Sequence, residues 1–295
     1  MSTGRERYAR MRSILEVPIL NEKFWSKVPS AAADGIMLDL EDSATPDSKV
    51  EVRRRIVEAL KNPAYFGGRR IIVRVNNLAT PWGRDDLAAL AQAEGDFLVC
   101  YPKIESQQEV REVLGLMSAK CRANGLYAMV ETARAMMELD RIASCEGVAG
   151  LHFGYVDYAA SVGSRPFERA GDALFAAANH YAQAKIAVAA AAYGLFASGG
   201  TLIPNFKDLD LVRAFVRRWA DLGYTTCIAV SPNHLECINE TLAPSTEEIE
   251  AATGVREAYE AATRVGQPAA FLHGKVITNP DYRVALLTLG RAGLA

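Results

Sequence analysis

The chain has 295 residues, half of them hydrophobic and 23% charged, a balance that fits a folded enzyme and excludes a disordered or fibrous protein. Lys and Arg number 33 against 35 Asp and Glu, so a net charge of −2 gives no overall basic footprint for nucleic acid, although a local basic patch for a phosphorylated ligand is compatible with it. No apolar run approaches the roughly 18 residues that span a bilayer, and no apolar stretch follows Met1-Ser-Thr-Gly-Arg-Glu-Arg7, so a cytoplasmic protein without a membrane partner is expected.

Five cysteines (Cys100, Cys121, Cys145, Cys227, Cys237) are widely spaced, with no CxxC pair, and read as buried free thiols.

Short apolar runs alternate with longer amphipathic ones, the pattern of repeated βα units. The first strands are expected at Ser13–Val17, Gly35–Leu40 and Arg70–Val75, with a helix over Ser48–Leu60 whose Arg53, Arg54 and Arg55 face water, and another over Asp85–Ala93. Phe97–Tyr101 is the fourth strand, followed by a helix from Ser106 to Ala123. The fifth and sixth lie in Ala128–Ala133 and Gly150–Asp157, separated by a helix over Arg134–Ala143. After a loop at Gly163–Pro166 come a helix from Asp172 to Tyr193, a strand around Gly200–Ile203, a helix over Asp208–Leu222 and an eighth strand at Thr225–Val230.

Eight βα units imply a (β/α)8 TIM barrel over residues 1–240. The rest, 241–295, reads as a C-terminal helical extension: a helix over Ser245–Val265, an extended segment at Phe271–Ile277 and a helix over Arg283–Arg291, placed on the barrel or on a neighbouring subunit.

Glu131 and Asp157 each end an apolar run, the way a buried strand delivers a charge to the C-terminal face of a barrel. Two oxygen ligands with water completing the shell suit Mg²⁺, which dehydrates reluctantly. Capping or pairing with a basic side chain is the alternative. Arg74, at the end of the third strand, has the fork geometry to hold a substrate carboxylate, or else pairs with Glu41 or Asp42. Asp39, Glu41 and Asp42 are expected to orient Arg74 or metal-bound water, N-capping by Asp42 or Ser43 being the alternative. Lys103 is expected to reach the same rim, where a Schiff-base role has to be weighed. Metal, arginine and 2-oxo acid together suit carbon–carbon bond cleavage or formation through an enolate. The four histidines, His152, His180, His234 and His273, are too dispersed for a metal cluster, and Gly67-Gly68 and Gly199-Gly200 match neither a P-loop nor a dinucleotide fingerprint.

Six motifs in one order, Arg12-Ser-Ile-Leu-Glu-Val-Pro18, Leu38-Asp-Leu-Glu-Asp-Ser43, Arg74-Val-Asn76, Tyr101-Pro-Lys-Ile-Glu105, Val130-Glu-Thr-Ala133 and Gly154-Tyr-Val-Asp157, make the chain resemble the HpcH/HpaI aldolase and citrate lyase β-subunit superfamily. The resemblance implies a Mg²⁺-dependent lyase of a small 2-oxo acid or dicarboxylate, often with an acyl-CoA partner. It implies Mg²⁺ on Glu131 and Asp157, Arg74 on a carboxylate, and Gly154, Tyr155 and Val156 against substrate. A homotrimer or hexamer is also implied. The chain departs from the pattern at Ile19, where the family has glycine, and at Thr226-Cys227 and Val230-Ser231-Pro232, which lack the family's lysine and histidine. At Val276-Ile277-Thr278 the family's acid/base aspartate is replaced by threonine. The alternatives are an aldolase for free 2-oxo acids without CoA and a non-catalytic metal- and anion-binding member.

Overall fold

The computed structural model describes residues 4–167 and 177–294. Eight parallel strands close into a barrel in sequence order: β1 Ser13–Val17, β2 Gly35–Asp39, β3 Arg70–Arg74, β4 Phe97–Tyr101, β5 Leu126–Val130, β6 Val148–Phe153, β7 Phe196–Gly200 and β8 Thr226–Ala229. β1 completes the ring by pairing Ser13, Ile14 and Leu15 with Cys227, Ile228 and Ala229. Helices cover the outside, which explains why β2, β4, β5 and β6 are buried at every position and read as continuous apolar runs. Ile14, Met37, Ile72, Leu98, Tyr127, Ala149, Phe196 and Ile228, one from each strand, belong to a single buried cluster. The interior is therefore a packed core rather than a pore, and each fully buried large side chain stabilises it by roughly 1.5–3 kcal/mol.

Five departures from these expectations are local. β7 lies at Phe196–Gly200, not around Gly200–Ile203: its small residues hide it from any β-branched signal, yet a Cβ on Gly199 would meet the Trp219 ring, 2.6 Å from Nε1. β6 stops at Phe153, and Asp157 sits in the first turn of the helix Tyr155–Ser161 rather than at a strand end. The helix expected over Ser106–Ala123 is two, Gln107–Leu116 and Ala119–Asn124, because Ser118 N-caps the second through the Cys121 N–H. The helix expected over Arg134–Ala143 likewise breaks at Glu138 into Ala133–Met137 and Leu139–Ala143. Arg53 is not solvated either, for its Nε lies 2.7 Å from buried Asp86. Of the helix expected from Asp172, Ala177–Tyr193 is seen, and 172–176 lie outside the described residues. The five cysteines are free and buried.

The chain divides into two compact units, Met1–Glu240 and Thr241–Ala295. The second contains the helix Thr246–Arg264, opened by a capping box between Ser245 and Glu248, and the antiparallel strands β9 Ala270–Leu272 and β10 Lys275–Ile277. His273 and Gly274, with φ of +47° and +79°, form the two-residue turn between those strands. The helix Asn279–Arg291 closes the unit around Ala252, Ala285 and Leu289. No helix among the described residues is long and apolar enough to cross a membrane.

Candidate metal and anion site

Adjacent strands β1, β2 and β3 carry Glu16, Asp39 and Arg74 at or next to their C-terminal ends, and the register places Asp39 beside Arg74. Arg74 Nε donates to Asp39 Oδ1 at 2.6 Å and Nη2 to Glu16 Oε1 at 2.9 Å, while Nη1 lies 3.4 Å from Glu41 and 3.9 Å from Asp42. The guanidinium, 6% exposed, is thus held chiefly by Asp39 and by Glu16, a partner the sequence reading did not foresee. Burial opposes charge on Asp39, but Arg74 and the N–H groups of Glu41 and Ser43 outweigh it and hold the carboxyl below its usual range. Burial pushes the Glu16 carboxyl up, and the neighbouring acids Asp39, Asp42 and Glu41 add to this against Arg74. Neither Asp42 nor Ser43 N-caps the next helix; Ser43 instead bonds back to Asp39.

Behind this cluster Lys49, itself buried, donates to the Leu40 and Glu41 carbonyls and to Asn76 Oδ1 at 2.7, 2.5 and 2.8 Å. Asp86 accepts from the Asn76 N–H and side-chain amide at 3.0 and 2.6 Å. Lys49, Asn76 and Asp86 thereby fix the loop that carries Glu41, a role that no local pattern in the sequence announced.

Glu131 follows β5 and is 3% exposed. Its Oε1 accepts the Lys103 backbone N–H at 2.7 Å. Lys103 holds a left-handed φ of +49°, unusual for a residue with a Cβ and a local cost of order 1–3 kcal/mol. Its ammonium lies 2.7 Å from Glu41 and 3.6 Å from Asp157, bringing Glu41, Asp157 and the Glu131 loop to one rim. Burial, then repulsion from Glu41, pushes Glu131 up to about 8 despite Lys103. Burial also works against the Lys103 charge, yet Glu131, Glu41 and Asp157 keep the ammonium more firmly protonated than usual, which opposes a Schiff-base amine. Gly154 lies against Glu131: a Cβ there would collide with Oε2 and come within 2.6 Å of the Glu131 Cβ.

This all-oxygen donor set, an under-compensated buried carboxylate beside a half-exposed one, fits a hard divalent cation. Among the described residues no three His, Cys, Asp or Glu side chains converge into a ready cage. Water or substrate oxygens would have to complete the shell.

A cavity of about 280 Å³ joins Glu16, Arg74, Glu131 and Asp157 to Gly154, Tyr155, Val156, His152, Thr201 and Val230. The Tyr155 hydroxyl donates to the Leu202 carbonyl at 2.5 Å, so its ring rather than its oxygen is available to a ligand. His152, passed over as one of four scattered histidines, stands in the wall with Nδ1 2.8 Å from Ser198 Oγ, and Tyr127 bonds the same hydroxyl. Burial, helped by Arg74, pushes His152 down to about 3 and keeps it neutral. The available clue was a polar residue interrupting an apolar strand, which also marks Glu16. Ser231 N-caps Pro232–His234, and Thr278 donates to Asp281 Oδ2 at 2.7 Å as the N-cap of its helix, so both have structural work of their own.

The family model for HpcH/HpaI aldolase/citrate lyase matches residues 12–232. A (3S)-malyl-CoA thioesterase of Cereibacter sphaeroides is 36% identical over 282 residues, covering 95% of this chain and 94% of that protein. An L-malyl-CoA/β-methylmalyl-CoA lyase of the same organism is 30% identical, covering 86% and 85%. Among solved structures, CitE of Mycobacterium tuberculosis in complex with magnesium, acetoacetate and coenzyme A superimposes with a TM-score of 0.77 at 26% identity, over 95% of this chain and 97% of that one. A (β/α)8 barrel, the motif order and these matches lead to one assignment: the chain is an enzyme of the HpcH/HpaI aldolase/citrate lyase family, a family of lyases.

Proposed function

We propose that the protein is a Mg²⁺-dependent carbon–carbon lyase acting on a small 2-oxo or hydroxy acid carried as a CoA thioester. The observation that carries this is the convergence of buried Glu131 and Asp157 on one rim with Arg74 in the same cavity. Glu131 and Asp157 would hold the cation, which when bound supplies electrophilic polarisation of an oxo or carboxylate oxygen. Asp39 and Glu16 fix the orientation of Arg74 at the cavity wall. Gly154 leaves room for the Glu131 carboxylate, and Tyr155 and Val156 line the pocket. The test is turnover of malyl-CoA and related thioesters with and without Mg²⁺, set against free oxaloacetate. Cleavage of the free acid alone would favour an aldolase without CoA, and no turnover of either would favour a non-catalytic binding member.

The higher identity to malyl-CoA thioesterases than to malyl-CoA lyases favours a second reading, hydrolysis of the thioester instead of cleavage of the carbon skeleton. Release of free malate and CoA identifies hydrolysis, whereas glyoxylate and acetyl-CoA identify cleavage. Thr278→Asp restores the family's acid at a position where aspartate is also a good N-cap. If the missing acid limits cleavage, this variant raises lyase turnover; an unchanged rate removes Thr278 from the explanation.

A further inference from the structure

The same strands that end at the metal site begin at a second cavity. Arg7, Arg10 and Arg12 lead into β1, Asp34 precedes β2, and Gly67–Arg69 lead into Arg70 of β3; they line an open hollow of about 500 Å³ at the N-terminal ends of these strands. Two of the arginines are neutralised locally: Arg12 grips Asp34 through Nε and Nη2 at 2.9 and 3.0 Å, and Arg7 lies 2.6 Å from Asp96. The other three, Arg10, Arg69 and Arg70, have no carboxylate partner among the described residues. Arg69 donates to the neutral carbonyls of Ala31 and Phe66 at 2.8 and 3.0 Å, and Arg70 to that of Arg7 at 3.3 Å. Three guanidiniums in one hollow, with no carboxylate partner of their own among the described residues, repel one another, and an anion there relieves the repulsion while taking their planar forks.

The backbone is shaped to match. Gly67 and Gly68 run through the left-handed region at φ +58° and +79°. A Cβ on Gly67 would stand 2.6 Å from Arg69 Nη1, so glycine lets that guanidinium fold over the loop, and the space above Gly68 is open. The N–H groups of Gly67, Arg69 and Arg70 are spent on the Ala64, Phe66 and Asp34 carbonyls, so the loop contributes open space and the guanidinium groups contribute the charge. Barrel residues at this end ordinarily serve stability alone. Arg12 and Arg7 do that; exposed Arg10, which makes no hydrogen bond or ion pair among the described residues, does not.

We propose that this hollow binds a phosphate-bearing anion, with Arg10, Arg69 and Arg70 as its unneutralised partners and the Gly67-Gly68 loop as its floor. The volume exceeds that of a single orthophosphate and suits linked phosphoryl groups. The source is a free polyphosphate or the phosphorylated end of a nucleotide, and the two are separable. Inorganic pyrophosphate and adenosine 3′,5′-bisphosphate are titrated calorimetrically, in separate runs, into the full chain at low and raised salt. Binding of pyrophosphate, falling with salt, identifies the free anion; binding of the bisphosphate alone identifies the nucleotide. Either supports the site if Arg10→Ser weakens it roughly tenfold, the share of one charge-assisted contact. Arg70→Ser should do the same, and Arg10→Ser decides alone if Arg70→Ser does not fold. Failure of both ligands to bind folded wild-type protein, or binding that Arg10→Ser leaves unchanged, overturns the proposal.

Discussion

Where β1, β2 and β3 end, Arg74 is surrounded by Glu16, Asp39 and Glu41; where the same three strands begin, Asp34 pairs with Arg12 in a hollow that Arg10, Arg69 and Arg70 also line. Three strands of five residues each run from a basic end to an acidic one. The parallel barrel collects all strand ends of one kind on one face, so the connecting loops choose the charge of each face independently. The acidic end calls for a cation, the basic end for an anion, and the apolar barrel between them keeps the two from cancelling.

The largest expected effect breaks the acidic end. Glu131→Gln should abolish Mg²⁺ binding by calorimetry and lower turnover on the order of 10³-fold, the several kcal/mol of a lost metal, with circular dichroism unchanged; retained binding would remove Glu131 as a ligand. Arg74→Met leaves buried Asp39 and half-buried Glu16 without their counter-ion, and denaturant unfolding should report a loss of about 3–5 kcal/mol. A loss below about 1 kcal/mol would mean those acids are neutral in the folded state. Gly154→Ala puts a methyl against Glu131 and should weaken Mg²⁺ about 10–100-fold while leaving the barrel folded. An unchanged Kd would show that Glu131 turns elsewhere.

The smallest effect concerns pH. His152 titrates near 3 in the folded protein against about 6.5 when unfolded. Between these values the unfolded chain binds more protons, so the native state loses stability as pH falls from about 6.5 toward 3. Relative to wild type, His152→Gln should remove roughly 2 kcal/mol of the stability lost between pH 7 and 5. Parallel pH profiles for the two proteins would show that His152 titrates normally.

Strands β1 to β4 are readable because burial on both faces demands runs such as Arg70-Ile-Ile-Val-Arg74, which propensity and periodicity both register. Phe196-Ala-Ser-Gly-Gly200 is not, because its small residues answer to Trp219, far away in sequence. Of the site, the carboxylates and Arg74 stand out as charges closing apolar runs. That Arg74 is shared by Glu16 and Asp39, and that Lys103 supplies an amide to Glu131 and an ammonium to Glu41, depends on strand neighbours and one left-handed residue that spacing does not reveal.

The seam between β1 and β8 also has a kinetic meaning. Ser13 cannot find Cys227 until more than two hundred intervening residues have been made, so the ring stays open through most of synthesis. Closing so long a loop is entropically slow and leaves two strand edges unpaired meanwhile. Glu16 belongs to one of those edges. The Arg74 cluster, drawn from β1, β2 and β3, depends on neighbouring strands alone and does not wait for the seam to shut.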